Sequence, residues 1–167
     1  MRYAGLNPND MSAAPGVSVS FFTQGCPHHC KGCHNPETWD FDGGKEFTWD
    51  TMNEILDSIT ANGITRSLAI MGGEPLCEHN AFLTLLVVKT VKERLPNTKI
   101  YIWTGYTYDR LKEVCDPHVK SILEYADYLI DGPYIEEKRN LLLKFRGSEN
   151  QRIIDLKKSD ENPCIIE

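Results

Sequence analysis

The sequence has no long hydrophobic run and no recognisable export signal. No segment reaches the roughly 18 consecutive apolar residues that indicate a membrane-spanning helix. Residues 1–8 contain no apolar stretch followed by a small-residue cleavage site, so they do not resemble a signal peptide. We therefore expect a cytoplasmic protein without a membrane partner.

The glycine-rich phosphate-binding motifs are also missing. Neither G-x-G-x-x-G nor G-x4-G-K-S/T occurs, which leaves dinucleotide and P-loop chemistry without support. The net charge is −6, from 18 Lys and Arg against 24 Asp and Glu, so we expect no nucleic-acid partner. Residues 137–158 depart from this balance, with seven basic and three acidic residues. We interpret them as a solvated surface, and a docking face for an acidic partner is the weaker alternative.

Internal repeats, Ser/Gly-rich linkers and breaks in composition are absent as well. The 167 residues, 41% hydrophobic and 25% charged, have the composition of a globular protein. A chain of this length buries enough surface to fold without disulfides. We predict a single domain over residues 1–167, in which the tail from about residue 157 to 167 is peripheral.

Strands and helices alternate along the chain. Short apolar or β-branched runs predict five strands, at residues 17–22, 67–71, 99–103, 128–130 and 152–156. Apolar residues at helical spacing predict four helices, at residues 48–62, 80–95, 108–114 and 119–125. This order favours βαβ units, and so an α/β fold with a parallel sheet.

Three of the six cysteines form a compact motif. Cys26, Cys30 and Cys33 have the spacing C-x3-C-x2-C directly after the first predicted strand. In a cytoplasmic chain they are reduced thiols, and soft thiolates select zinc or iron–sulfur centres. A cubane cluster normally has four cysteine ligands, so three leave one iron free to bind a substrate or cofactor. The alternative is a closed structural zinc site with Cys77 as the fourth ligand.

A second group of polar residues follows the later strands. Gly72 and Gly73 lack side chains, which permits a close backbone approach to a ligand, and Glu74 adds an acceptor suited to a cationic amine. Thr104 and Asp131 end the next two strands. Because ligands bind at the carboxyl ends of parallel strands, we predict that these residues and the cysteine motif converge on one edge of the sheet.

Together these motifs resemble the radical S-adenosylmethionine (SAM) enzymes, and within them the family that activates anaerobic (class III) ribonucleotide reductases. The resemblance runs from about residue 17 to 155 and rests on residues 25–39, 72–75, 103–106, 131–134 and 145–148. One position departs from the wider superfamily, which commonly has an aromatic residue before the third cysteine. That position is Gly32 here, and we expect His34 to provide the missing packing.

The resemblance implies an incomplete (β/α)6-type radical SAM barrel with a largely parallel curved sheet and outer helices. It implies a [4Fe-4S] cluster held by Cys26, Cys30 and Cys33, with SAM chelated at the open iron. The predicted cofactor-binding residues are Gly32, Cys33, His34, Gly72, Gly73, Glu74, Thr104 and Asp131. A complete (β/α)8 barrel takes about 250 residues. We therefore expect this shorter chain to leave an open side, which suits a macromolecular substrate.

The implied activity is that of an oxidoreductase that activates a glycyl radical enzyme. An electron from a reduced flavodoxin-type donor cleaves SAM, and the 5′-deoxyadenosyl radical removes a hydrogen atom from one glycine of the large reductase subunit. No side chain is expected to be catalytic in its own right, because the cofactors perform the difficult step. The alternatives are another substrate, such as pyruvate formate-lyase or a small molecule, and a non-enzymatic zinc-binding module.

Overall fold

One mixed β-sheet organises the computed structural model, which describes residues 1–159 and 162–166. Within these residues eight strands belong to the sheet. They are β1 (Arg2–Asp10), β2 (Ser18–Thr23), β3 (Lys45–Glu46), β4 (Ser67–Gly72), β5 (Ile100–Trp103), β6 (Tyr128–Asp131), β7 (Arg152–Asp155) and β8 (Ile165–Ile166). Their spatial order is β3-β1-β2-β4-β5-β6-β7-β8. The strands β2, β4, β5 and β6 run parallel, which confirms the predicted α/β class and its parallel centre.

The outer strands of the sheet differ from the sequence-based prediction. Only five strands were predicted, and β1, β3 and β8 were missed. The sequence of β1 contains Asn7, Pro8 and Asp10, which are uncommon in strands, and Pro8 lies where the register with β2 shifts. β7 was predicted correctly but pairs antiparallel to β6. No α-helix joins these two strands, so the chain has no crossover that would make them parallel.

Four helices follow the predicted positions closely. They are α1 (Trp49–Thr60), α2 (Glu78–Arg94), α3 (Tyr108–Glu113) and α4 (Pro117–Tyr125). Thr48 caps α1 in a capping box with Thr51, and Asp116 caps α4 through the His118 amide. The apolar side of α1, with Met52 and Ile55, packs into the main core.

The sheet carries a different core on each face because successive strand residues alternate in direction. Ile100, Ile102 and Leu129 belong to the main core with the helices. Tyr101 and Ile130 face the other way, into a smaller core with Ala14 and Ile153. Trp103 and Phe145 pack at the margin of this smaller core. These two residues also line the cavity of the candidate site, which therefore lies beside this second face.

The C-terminal tail adds β8 to the sheet. Ile165 and Ile166 pair with β7, and the Asp155 amide donates a hydrogen bond to the Cys164 carbonyl at 2.8 Å. Residues 160, 161 and 167 of the predicted peripheral tail lie outside the described residues. No helix in the described part of the chain is both long enough and apolar enough to cross a membrane.

Candidate functional site

The cysteine loop begins where β2 ends and folds back on itself. Gly25 has φ +98°, and the Phe41 ring occupies the space that a Cβ at this position would need. The amides of Gly25 and Cys26 donate to the carbonyls of Thr38 and Trp39, at 2.7 and 3.1 Å. These bonds close the cysteine loop next to the end of β2.

All three motif cysteines border one cavity of about 410 Å³. Cys26 is buried, while Cys30 and Cys33 are half-buried, and the Cys33 amide donates to the Cys30 carbonyl at 3.1 Å. Burial raises the pKa of Cys26 to about 11, against the opposing effect of hydrogen bonds from the backbone of His28 and His29. A cationic centre in the cavity would stabilise these thiolates in return. Among residues 1–159 and 162–166, no three His, Cys, Asp or Glu side chains are arranged to hold a single metal ion.

The loop after β4 lies against the cysteine loop because it contains two glycines. Gly72 has φ +101°, and a Cβ there would lie 2.9 Å from the Phe22 Cα. A Cβ on Gly73 would collide with the Gly25 carbonyl oxygen. The Glu74 amide donates to that same oxygen at 2.9 Å. The glycines therefore permit contact between the two loops, in addition to lining the cavity as expected.

Glu74 is buried and forms hydrogen bonds with three loops. Its Oε1 accepts hydrogen bonds from the Leu76 amide at 2.9 Å and the Thr104 hydroxyl at 2.8 Å. Its Oε2 accepts from the Gly105 amide at 2.7 Å and from His28 Nε2 at 2.8 Å. The side chain is 1% exposed, and four donors compensate for the burial of its charge. Glu74 was expected to offer a free acceptor to a ligand, whereas here both oxygens have protein partners.

Three residues outside the predicted cofactor-binding set complete this junction. The His28 ring bonds to Glu74 and packs on Tyr106, with 4.6 Å between ring centroids. A Cβ on Gly105 would lie 2.5 Å from the His28 ring, so the glycine makes room for it. Asn80 donates from Nδ2 to the carbonyls of Gly25 and Glu74, both at 3.0 Å. The burial of Asn80 depends on how α2 packs against the two loops, so no local sequence signal identified it.

The two predicted residues around the third cysteine have different positions. His34 lines the cavity, and its ring packs on Tyr134 with 5.3 Å between centroids. Gly32 has φ +73° and is not among the cavity-lining residues. A Cβ on Gly32 would collide with the Glu136 carboxylate, which also accepts a 2.6 Å hydrogen bond from Tyr134. Gly32 thus allows the segment after β6 to cover the cysteine loop.

Asp131, a predicted cofactor-binding residue, is not among the residues that line the cavity. Its carboxylate accepts hydrogen bonds from Arg152 Nε at 3.0 Å, from Arg152 Nη2 at 2.5 Å and from the Tyr108 amide at 2.7 Å. Asp131 and Arg152 are direct partners in the antiparallel pairing of β6 and β7. The expectation of a parallel sheet could not place an arginine opposite this residue.

Two buried donors in the cavity wall have no hydrogen-bond partner among the described residues. They are Trp39 Nε1 and Arg146 Nε, and both side chains line the cavity. Neither group can accept a hydrogen bond. Both nitrogens are themselves buried, so leaving them unpaired is unfavourable. The three soft thiols that border the cavity fit an iron–sulfur centre.

Cys77, the fourth ligand in the zinc alternative, faces elsewhere. It is buried where α2 begins, and it lines two other cavities with Phe82, His79 and Tyr106. It does not line the cavity of the three motif cysteines. The thiol set at that cavity in the described chain is therefore the predicted trio.

Comparisons with known proteins point to an iron–sulfur protein family. Residues 13–154 match the family described as 4Fe-4S single cluster domain. A protein of Vibrio cholerae serotype O1 is 36% identical over 154 residues, which cover 92% of this chain and 97% of the relative. Relatives from Pasteurella multocida and Enterobacteria phage T4 are 37% and 36% identical, over 92% of this chain and 96% and 93% of their own lengths. All three relatives are named anaerobic ribonucleoside-triphosphate reductase-activating protein.

Proposed function

The chain belongs to the 4Fe-4S single cluster domain family and to the family of anaerobic ribonucleoside-triphosphate reductase-activating proteins, and on this basis we propose that it is a radical SAM activase. Its substrate would be a glycine of the large anaerobic ribonucleotide reductase subunit. The observation that carries the proposal is that three thiols and the Gly72–Glu74 loop border the same cavity. That arrangement brings a soft-metal donor set next to a backbone surface suited to a small polar ligand.

In this function Cys26, Cys30 and Cys33 would hold a [4Fe-4S] cluster, and one iron would have no protein ligand. When bound, the cluster supplies the electron that cleaves the sulfonium of SAM. Trp39 and Arg146 form part of the wall around the bound cofactors.

Glu74 positions the site. Its four hydrogen bonds hold the cysteine loop, its own loop and the loop after β5 in one arrangement. Thr104 acts through the same carboxylate. The backbone of Gly72 and Gly73 remains the surface that is open to the SAM methionine moiety.

The apolar part of the wall protects a reactive intermediate. Met71, Trp103, Leu143 and Phe145 line the cavity beside the polar groups. Such side chains exclude water from the site, and a carbon radical requires that exclusion if it is to react with its intended target.

The fold suits a large substrate. The sheet ends at β3 on one side and β8 on the other in the described chain, and we infer that it is an incomplete (β/α)6-type barrel within a single domain of residues 1–167. An open side lets a glycine-bearing loop of another protein reach the cavity. A reduced flavodoxin-type protein is the proposed electron donor.

The test is anaerobic reconstitution with iron and sulfide, followed by reduction in the presence of SAM. We expect a brown protein that forms 5′-deoxyadenosine and, with the reductase added, a glycyl radical in the electron paramagnetic resonance spectrum. Cys30→Ala should abolish both products, whereas Cys115→Ala, at an exposed cysteine, should abolish neither. A colourless zinc protein would overturn the proposal. 5′-Deoxyadenosine without a glycyl radical would overturn the choice of reductase as substrate.

A further inference from the structure

Two adjacent leucines are more exposed than ordinary surface residues. Leu141 is 80% and Leu142 is 91% exposed, in the loop of residues 138–147 between β6 and β7, which we call the rim loop. No large hydrophobic side chain in the described chain is more exposed than Leu142. Together the two leucines form a small apolar patch, and exposed apolar patches mark interaction sites.

The rim loop is held in place by its own hydrogen bonds. The Asn140 amide donates to the Gly147 carbonyl at 3.2 Å, and Asn140 Oδ1 accepts from the Leu142 amide at 2.9 Å. Trp103 Nε1 donates to the Phe145 carbonyl at 2.9 Å. Phe145 has φ +58°, a conformation that non-glycine residues adopt only when their surroundings impose it. The fold therefore presents the two leucines to solvent in a defined position.

The inner side of the rim loop is a wall of the candidate site. Leu143, Phe145 and Arg146 line the cavity, whereas Leu141 and Leu142 do not. The loop thus has one surface toward the cofactors and another toward solvent. A protein that contacts the outer surface is adjacent to the cavity that its reactive residue must enter.

The rim loop is positively charged, which favours a partner with an acidic surface. Residues 138–146 contain four basic residues and no acidic residue, in a chain of net charge −6. None of Lys138, Arg139, Lys144 and Arg146 forms an ion pair with another described residue. Unpaired cations beside exposed leucines complement an apolar pocket bordered by carboxylates. This segment was interpreted from sequence as a solvated surface, and the exposed leucines favour the alternative.

We propose that the rim loop is the docking surface for the reductase, and that it receives an apolar, acid-bordered patch close to the target glycine. The proposal rests on the proposed function for the identity of the partner. Leu141 and Leu142 supply the apolar contact, and Lys138, Arg139 and Lys144 supply complementary charge. Arg146 remains with the cavity.

The test compares Leu141→Ser/Leu142→Ser and Lys144→Glu with wild type, using the reconstituted activase and the purified reductase. We expect each variant to weaken reductase binding at least tenfold by calorimetry and to lower the glycyl radical yield at limiting activase. 5′-Deoxyadenosine formation without the reductase should stay at the wild-type rate, because these side chains do not line the cavity. The matched control is Ile64→Ser, at a 48% exposed residue before β4, which should bind as wild type does.

Three outcomes would overturn the docking proposal. The first is unchanged affinity for the reductase in both variants. The second is a wild-type chain that self-associates through these leucines, shown by a change of oligomeric state in the double variant. The third is binding of the wild type, but not the double variant, to anionic lipid vesicles together with unchanged reductase affinity. Failure of the wild type to form 5′-deoxyadenosine would instead count against the proposed function, and the binding measurement would still report on the surface.

Discussion

His28 Nε2 lies 2.8 Å from Glu74 Oε2, although the two residues are 46 positions apart in the chain. This contact joins the cysteine loop to the loop after β4. Because Glu74 also binds Thr104 and Gly105, three loops share one buried carboxylate. The position of the thiols therefore depends on residues that do not themselves bind a metal.

Glu74→Gln should remove hydrogen bonds at the site while keeping a side chain of nearly the same size. An amide replaces one acceptor oxygen, so at least one of the four donors facing Glu74 loses its partner. An unsatisfied buried group costs about 1–3 kcal/mol. We expect a lower thermal midpoint and roughly tenfold or more slower 5′-deoxyadenosine formation. Glu78→Gln, at an exposed carboxylate in the first turn of α2, is the matched control. Equal activity in both variants would show that Glu74 does not position the loops.

Gly105→Ala should displace His28. The added Cβ would lie 2.5 Å from the imidazole, so the ring must leave its place beside Glu74. We expect less iron retained per chain after anaerobic reconstitution, measured by metal analysis and visible absorbance. Gly5→Ala is the control, because a Cβ there meets nothing within 4 Å. If Gly105→Ala retained the wild-type iron content, the contact between His28 and Glu74 would be dispensable for cluster binding.

Cys77→Ala should leave the metal centre intact. The Cys77 side chain lines cavities other than that of the motif cysteines, so we expect full iron incorporation and the wild-type spectrum. Burial of the residue predicts a small loss of stability, since a cavity of one sulfur atom remains. Loss of bound metal in this variant, with zinc in the wild type, would support the four-cysteine zinc module instead.

Asp127 should make stability depend on pH in acid. Burial alone raises the pKa of this carboxyl, but hydrogen bonds from Lys92 and the Ile100 amide, with the charges of Lys92 and Lys99, outweigh it and lower the pKa below 3.8. Because the folded-state pKa is depressed, the contribution is present above about pH 4 and is lost as the pH falls through the folded value. We expect Asp127→Asn to lower the free energy of unfolding by about 1–3 kcal/mol near neutral pH.

Urea unfolding followed by tryptophan fluorescence measures this effect. The difference between wild type and Asp127→Asn should stay constant from about pH 6 to about pH 4 and shrink as the pH falls further. Asp57→Asn changes an exposed carboxylate on α1 and should unfold as wild type does. A difference that stays constant over the whole range would exclude Asp127 as the source of the pH dependence.

Local patterns were sufficient for most of the helices and the central strands. The α1 prediction succeeded because Thr48 can cap a helix and Met52, Ile55 and Ile59 recur at helical spacing. Of the five strands predicted in a parallel sheet, β2, β4, β5 and β6 are parallel, because helices separate them. β1 was missed because the stabilisation of an irregular strand comes from its neighbour in the sheet.

The sequence by itself determined the elements, the cysteine trio and the loops at the strand ends, because spacing and residue type are local properties. Only the tertiary structure decided what those residues contact. Glu74 acquired four protein donors and Asp131 acquired Arg152 because loop packing and the antiparallel return of β7 brought distant residues together. The exposure of Leu141 and Leu142 was decided in the same way, since an apolar residue is buried or exposed according to where the rest of the chain packs.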